Sequence, residues 1–174
     1  MLWIGRKERP RVDERRGGSE QELLVVKCNL GVCYSALGRH EAALDLRREV
    51  YDRNITLEGL TEDTLVDASN LSLSLVDCDQ HAEAKRFLRN DILPTARRIL
   101  RPVDSTMLEL RVHLAIALFK GEVAPLEDLI EAKVILEDVV RTARRVFGDG
   151  YPDTEDYKDI LHRAQAKLAR ARAM

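Results

Sequence analysis

The apolar residues of this chain recur at steps of three and four. The first such series consists of Leu23, Val26, Leu30, Cys33, Tyr34 and Leu37. This spacing aligns side chains on one face of an α-helix. Ser19 followed by Glu22 has the form of a capping box, so we expect the helix to begin at Ser19. Gly38 is the residue expected to end it.

Six later stretches show the same helical pattern. They cover about residues 41–58, 64–76, 82–100, 105–118, 130–146 and 157–168. Asp63-Thr64 is the expected cap of the second of them, and Pro94 predicts a kink or local break inside the third. No strand-like alternation of apolar and polar residues occurs, so the sequence predicts an all-α fold.

The chain also repeats itself. Asn29-Leu30-Gly31 returns as Asn70-Leu71-Ser72 and, more weakly, as His113-Leu114-Ala115. Self-similarity at the length of a helix pair predicts stacked helical hairpins. Small residues at matching places should let paired helices approach closely. These are Gly31, Ser72 and Ala115 on the first helices and Ala43, Ala84 and Ala132 on the second helices.

These motifs resemble the tetratricopeptide repeat, in particular the form of about 42 residues found in kinesin light chains. The matching residues are Asn29-Leu30-Gly31-x-x-Tyr34, Gly38-Arg39-His40-Glu41-Ala42-Ala43-Leu44, Asn70-Leu71-Ser72, His81-x-Glu83-Ala84, Asp63-Thr64 and Asp153-Thr154. The resemblance implies a right-handed α-solenoid of antiparallel hairpins over residues 19–172, with about three repeats and a C-terminal capping helix. Residues 1–18 would form a separate mixed-charge leader, disordered or partly helical.

The resemblance further implies a binding function, because the first helices of such arrays line a concave groove that holds an extended peptide or a partner helix. The groove residues here would be Asn29, Val32, Asn70, Leu73, Asp77, Glu109, His113 and Ile116. An asparagine amide carries donors and an acceptor, so it can hold a peptide backbone without reading its side chains. The alternative, in which Asn29 and Asn70 bond a neighbouring helix or face water, stays equally open.

A clamp for an acidic C-terminus, as in some tetratricopeptide co-chaperones, is not expected. Val25 stands where the clamp lysine would precede Asn29, and Asp77 and Glu109 would repel an acidic tail. The arginine pairs of the second helices are expected on the convex, solvated face. They are Arg47-Arg48, Arg97-Arg98 and Arg144-Arg145.

Composition narrows the classes of partner. The net charge of the 174 residues is −2, so no overall field attracts nucleic acid or an anionic membrane. No apolar run is long enough to cross a bilayer, and we expect no membrane partner and a cytoplasmic location. The odd number of cysteines and the lack of a CxxC pair predict buried thiols, not disulfides, at Cys28, Cys33 and Cys78.

Catalytic motifs are missing from the sequence. It contains no Gly-rich phosphate loop, no nucleophile elbow and no HExxH. His113 has no second His or Cys at helical spacing, so no metal or cofactor is predicted. The leading prediction is therefore a protein–protein interaction scaffold, and an enzyme is the remote alternative. A structural module that oligomerises or links domains is a third reading, with weak self-association through the open ends of the solenoid.

Overall fold

The computed structural model describes residues 12–121 and 124–173, and their side chains from residue 20 onward. Within that part every regular element is helical, so the all-α prediction is confirmed. The elements are α1 (Val12–Ala36), α2 (His40–Glu58), α3 (Glu62–Asp77), α4 (His81–Arg86), a π-helical segment (Phe87–Ile92), α5 (Leu93–Ile99), α6 (Ser105–Lys120), α7 (Leu126–Val146) and α8 (Pro152–Arg172).

Helices that follow one another in the chain pack against each other, and α6 lies at the centre. It contacts α3, α4, α5, α7 and α8. Fully buried leucines of the main core come from these helices and from the π-helical segment, and among them are Leu65, Leu88, Leu108, Leu110 and Leu136. Because α6 has neighbours on nearly all sides, most of its residues between Met107 and Phe119 are buried.

Contacts between residues about one repeat apart recur along the chain. Ser69 bonds Glu109, and Ser72 bonds His113, at separations of 40 and 41 residues. On the second helices the same spacing gives Lys85–Asp128 and Arg89–Glu131, at separations of 43 and 42 residues. Successive helix pairs therefore lie side by side, with contacts between residues about one repeat apart.

The predicted small residues lie where helices meet. Ala43, Ala84 and Ala132 are completely buried. A Cβ built on Gly31 would lie 3.5 Å from Cγ of Arg47 and 3.9 Å from the carbonyl oxygen of Ala43. The side of α1 that carries Gly31 is therefore in close contact with α2.

Helix α1 begins earlier than predicted. It starts at Val12 and runs through Gly17 and Gly18, so Ser19 lies inside the helix and is not its N-cap. A glycine inside a helix costs only about 1 kcal/mol, and acidic residues such as Asp13 and Glu14 are favoured in a first turn. The predicted leader is thus helical from Val12, and its residues 1–11 lie outside the described part of the chain.

The apolar series of α1 is largely exposed. Only Leu24 and Gly31 are buried in this helix among the residues whose side chains are described. Leu23, Val26, Leu30 and Leu37 are exposed, and so is the thiol of Cys33, which contradicts its prediction as a buried thiol. The periodicity correctly predicted a helix, but α2 packs on a different side of it.

Two helix ends follow local sequence signals. Gly38 adopts φ +70° just after α1, and the Arg39 N–H donates to the carbonyl oxygen of Tyr34, which closes the helix as predicted. At α3 the expected cap is wrong by two residues. Thr61 is the N-cap, and its hydroxyl and that of Thr64 each accept from the other residue's backbone N–H.

The predicted break at Pro94 takes the form of a π-helical segment. Proline has no N–H, and its ring crowds the carbonyl four residues earlier, on Asn90. The turn before it is widened, and the Leu93 N–H donates to the carbonyl oxygen of Leu88. The wider turn keeps Leu88, Ile92 and Leu93 all buried in the core.

Candidate functional site

A cleft of about 250 Å³ opens between α1, α2 and α3. Its lining includes the predicted groove residue Asn29, together with Val25 and Cys28 of the same helix. The opposite wall carries carboxylates and amides. These are Asn54 and Glu58 of α2 and Asp63 and Asp67 of α3. The cleft therefore combines a short apolar wall with a markedly acidic one.

Asp67 is the most enclosed acid of this cleft. Burial raises the pKa of its carboxyl group, and the carboxylates of Asp63 and Glu58 act in the same direction. A hydrogen bond of 2.7 Å from the Asn54 amide opposes the shift. Asp67 also raises the pKa of the Cys28 thiol, after the larger effect of burial. No basic side chain forms an ion pair with Asp67 in the described part of the chain.

The two predicted asparagines are differently exposed. Asn29 is exposed and lines the cleft, whereas Asn70 is half-buried on α3. The backbone carbonyl of Asn70 accepts a hydrogen bond of 3.1 Å from Nη1 of Arg47. Neither side-chain amide bonds another residue within the described chain, so their hydrogen-bonding groups stay available.

Arg47 is buried between α2 and α3, which corrects its prediction as a solvated convex-face residue. Its Nη1 also donates to Oγ of Ser74 at 2.7 Å. Burial lowers the pKa of its guanidinium group, and the carboxylate of Asp77 opposes that effect. The two hydrogen bonds fix α3 against α2, and both acceptors are neutral. Arg47 therefore does not serve as the cation partner of Asp67.

A second acidic position lies between α3, α6 and α8. Oγ of Ser69 donates to Oε2 of Glu109 at 3.0 Å. Burial raises the pKa of Glu109, the Ser69 hydrogen bond lowers it, and the carboxylate of Asp153 raises it further. The pKa of the Tyr157 hydroxyl is raised by burial and then by Glu109 and Asp153. These four residues form a polar patch in which negative charge is poorly compensated.

His113 is buried and already engaged within the chain. Its Nδ1 lies 2.8 Å from Oγ of Ser72, whose single proton is donated to the carbonyl oxygen of Ser69 at 2.7 Å. Nδ1 must therefore carry the proton and donate to Ser72. Burial, followed by the charge of Arg47, lowers the pKa of His113 to about 4, so the ring is neutral at physiological pH.

The remaining predicted groove residues differ in their exposure. Val32 is exposed on α1, and Leu73 and Ile116 are half-buried on α3 and α6. Asp77 is half-buried, with its Oδ2 3.9 Å from Nδ1 of His40. The structure therefore joins Asn29 to the first cleft, and Glu109 and His113 to the interface of α3 with α6.

Some cleft residues were absent from the sequence prediction. Asp63, Asp67 and Asn70 follow one another at steps of four and three, which places all three on one face of α3. The two aspartates could therefore have been predicted from the sequence as neighbours of Asn70. Asn54 and Glu58 come from the second helix α2, and only the packing of α2 on α3 brings them to the cleft.

The described part of the chain gives no support to a metal site, a membrane span or a disulfide. No group of three or more His, Cys, Asp or Glu residues among the described ones is arranged to hold a metal ion. None of the described helices has the length and apolar character needed to cross a membrane. The three cysteines form no disulfide.

No protein-family model and no curated protein sequence matches this chain. Membership of the tetratricopeptide family therefore stays a prediction, and the functional interpretation rests on burial, spacing and hydrogen bonding.

Proposed function

We propose that this protein is a protein–protein interaction module that binds a peptide segment or partner helix along the face formed by its first helices. The carrying observation is the pair of asparagine amides, Asn29 and Asn70, which occupy repeated positions and bond no described residue. A side-chain amide can donate to and accept from the backbone of a bound peptide, whatever the side chains of that peptide are.

The spacing of contacts supports a tetratricopeptide-like array as the scaffold. Hydrogen bonds at 40 and 41 residues join the first helices α3 and α6, and bonds at 42 and 43 residues join the second helices. Contacts at a nearly constant separation are expected when helix pairs stack side by side, and a right-handed solenoid is the arrangement that the resemblance implies.

Charge supports a basic partner. The first cleft carries Glu58, Asp63 and Asp67, and the second acidic position carries Glu109 and Asp153. The raised pKa values of Asp67 and Glu109 record the cost of holding negative charge there. A lysine or arginine side chain would lower that cost, whereas an acidic segment would increase it.

Binding to matched peptide pools tests this proposal. We would measure fluorescence anisotropy with a Lys-rich and a Glu-rich pool of equal length and apolar content. The Lys-rich pool should bind more tightly, and Asn29→Ala combined with Asn70→Ala should weaken its binding roughly tenfold, the size expected for two lost hydrogen bonds. Circular dichroism should show unchanged helicity.

The exposed Asn90 provides the control, because Asn90→Ala removes an amide from the π-helical segment, which carries none of the predicted groove residues. Equal binding by the wild type and the Asn29/Asn70 variant would remove the asparagines from the site. Preference for the Glu-rich pool would contradict the basic partner. The alternative, an oligomerisation or linker module, is favoured by a different observation, the exposed apolar side of α1.

A further inference from the structure

Helix α1 has an apolar stripe that faces away from the other described helices. The outer stripe consists of Leu23, Val26, Leu30, Cys33 and Leu37, at successive steps of three, four, three and four. The exposed fractions of its Leu and Val residues are 52%, 60%, 39% and 72% in chain order. Single exposed apolar residues are ordinary, but a continuous stripe of them along a helix marks an interaction surface.

The equivalent side of the next first helix is covered by a neighbouring helix. A shift of 41 residues takes the outer stripe to Thr64, Asp67, Leu71, Ser74 and Cys78. On α3 these positions face α2. Leu71 shares a buried cluster with Leu44, and Ser74 accepts from Arg47. The same side of α6 carries Met107, Leu110 and Leu114, which are buried.

This side of a first helix is therefore a position that receives another helix. On α3 that position includes the polar residues Thr64, Asp67 and Ser74, and it is covered. On α1 it is more apolar, and no described residue covers it. Apolar side chains at an uncovered helix-receiving position indicate a partner that buries them.

We propose that the outer stripe of α1 packs against the same stripe of a second copy of this chain, in a closed two-fold dimer. Alternating steps of three and four residues are the spacing of a seam between two packed helices. A two-fold axis places identical surfaces opposite each other, so each Leu23–Leu37 stripe would bury its counterpart.

The charges beside the outer stripe fit a second copy. Lys27 forms an ion pair with Glu49, and Arg53 forms one with Glu20, on the edge where α1 meets α2. With Leu23, these residues line an open cleft of about 390 Å³. Because acidic and basic groups alternate there, a rotated copy can match them. A partner of one charge sign would be repelled by half of them.

The opposite end of the molecule argues against head-to-tail stacking. The side of α8 that is turned to solvent carries Glu155, Asp159, His162, Arg163 and Arg170. Packing that side of α8 on the outer stripe would bury charged groups without partners, which is strongly unfavourable. Pairing of α1 with α1 avoids this cost and closes the assembly at two copies.

The dimer surface is separate from the proposed peptide groove. Val25, Asn29 and Val32 lie on a different side of α1 from the outer stripe. Each is one or two positions from the nearest stripe residue, and residues at that spacing point in different directions from a helix. Dimerisation would leave the groove open, and the two proposals can fail independently.

Light scattering coupled to size-exclusion chromatography tests the dimer over low to high micromolar concentrations. The wild type should pass from monomer to dimer, and Val26→Glu with Leu30→Glu should raise the dissociation constant at least about tenfold. Val25→Glu with Val32→Glu is the matched control on the same helix and should dimerise like the wild type.

A charge-exchange experiment separates a lost interface from a lost fold. Val26→Lys with Leu30→Lys should also be monomeric alone, and mixing it with the Val26→Glu/Leu30→Glu variant should restore a dimer. A wild-type chain that stays monomeric at every concentration, as when residues 1–11 or another protein cover the stripe, would overturn the proposal. So would a dimer that survives in both doubly charged variants, since another surface would then hold it.

Discussion

At the level of single residues, hydrogen bonding between repeats explains His113. The resemblance predicted this residue in the groove. In the structure its ring is buried and hydrogen-bonded to Ser72. The neutral ring has one proton, which Nδ1 donates to Ser72. A charged ring would place a second positive charge near the buried Arg47. His113 is thus tied to the stability of the α3–α6 interface, and contact with a peptide there stays a prediction.

The lowered pKa of His113 predicts how stability depends on pH. The folded pKa of about 4 lies below the unfolded value of 6.5, so the unfolded chain binds more protons between them. The stability that the neutral ring contributes is complete above pH 6.5 and is lost as the pH falls towards 4. Between about pH 7.5 and pH 4.5, urea unfolding should show the wild type losing about 2 kcal/mol more than His113→Gln. Parallel losses in the two proteins would show that His113 does not titrate in this way.

At the level of elements, ion pairs join the second helices across repeats. Nζ of Lys85 donates to both carboxylate oxygens of Asp128, at 2.8 and 2.6 Å. Asp128 is buried in the first turn of α7, where the helix dipole also favours a carboxylate. Arg89 and Glu131 form the corresponding pair one turn further on, but their side chains are more exposed, at 39% and 43% compared with 11% for Asp128. The two pairs therefore have the same geometry and different burial.

Burial should decide what each pair contributes to stability. Asp128→Asn leaves the ammonium group of Lys85 without its carboxylate, and the free energy of unfolding should fall by about 1–2 kcal/mol. Glu131→Gln breaks the more exposed pair, so the loss should be smaller, at about 0.5 kcal/mol. Chemical denaturation of the two single variants measures both values. Equal losses would mean that solvent exposure does not distinguish these pairs.

For the molecule as a whole, packing is uneven along the chain. Helix α6 contacts five other helices and is mostly buried. Helix α1 packs mainly on α2 and buries only Leu24 and Gly31 among its described side chains. A helix that packs mainly on one other helix opens more readily than a helix that packs on several.

Native-state hydrogen exchange should reproduce this difference. At low micromolar concentration the amides of α1 should exchange fastest among the helices, and those of α6 slowest, because opening α1 exposes little buried surface. Raising the concentration should protect α1 selectively if two copies pair through the outer stripe. Uniform protection from α1 to α8 would instead indicate that the whole molecule opens as a single cooperative unit.

Local signals predicted much of the fold correctly. The helical spacing of apolar residues predicted the helices, Gly38 predicted the end of α1, and Pro94 predicted the break before α5. Glycine and proline act through a few neighbouring backbone atoms, so their effects can be read from the sequence. The predicted start of α1 was wrong because Ser19 is a residue type that favours N-caps, whereas the helix in fact extends back across Gly17 and Gly18. The candidate site was predicted in part. Asn29 lies on the cleft, but Asn54 and Glu58 are contributed by another helix.

The sequence by itself determined that the chain is helical and that it repeats at about the length of a helix pair, since period and turn chemistry are local properties. Only the tertiary structure decided which face of each helix is covered. Apolar spacing on α1 and on α6 is alike as a pattern, yet the outer stripe is exposed whereas α6 is enclosed, because burial depends on which helices lie alongside. For the same reason Arg47 is buried and Asn29 is open, although both belong to repeated segments.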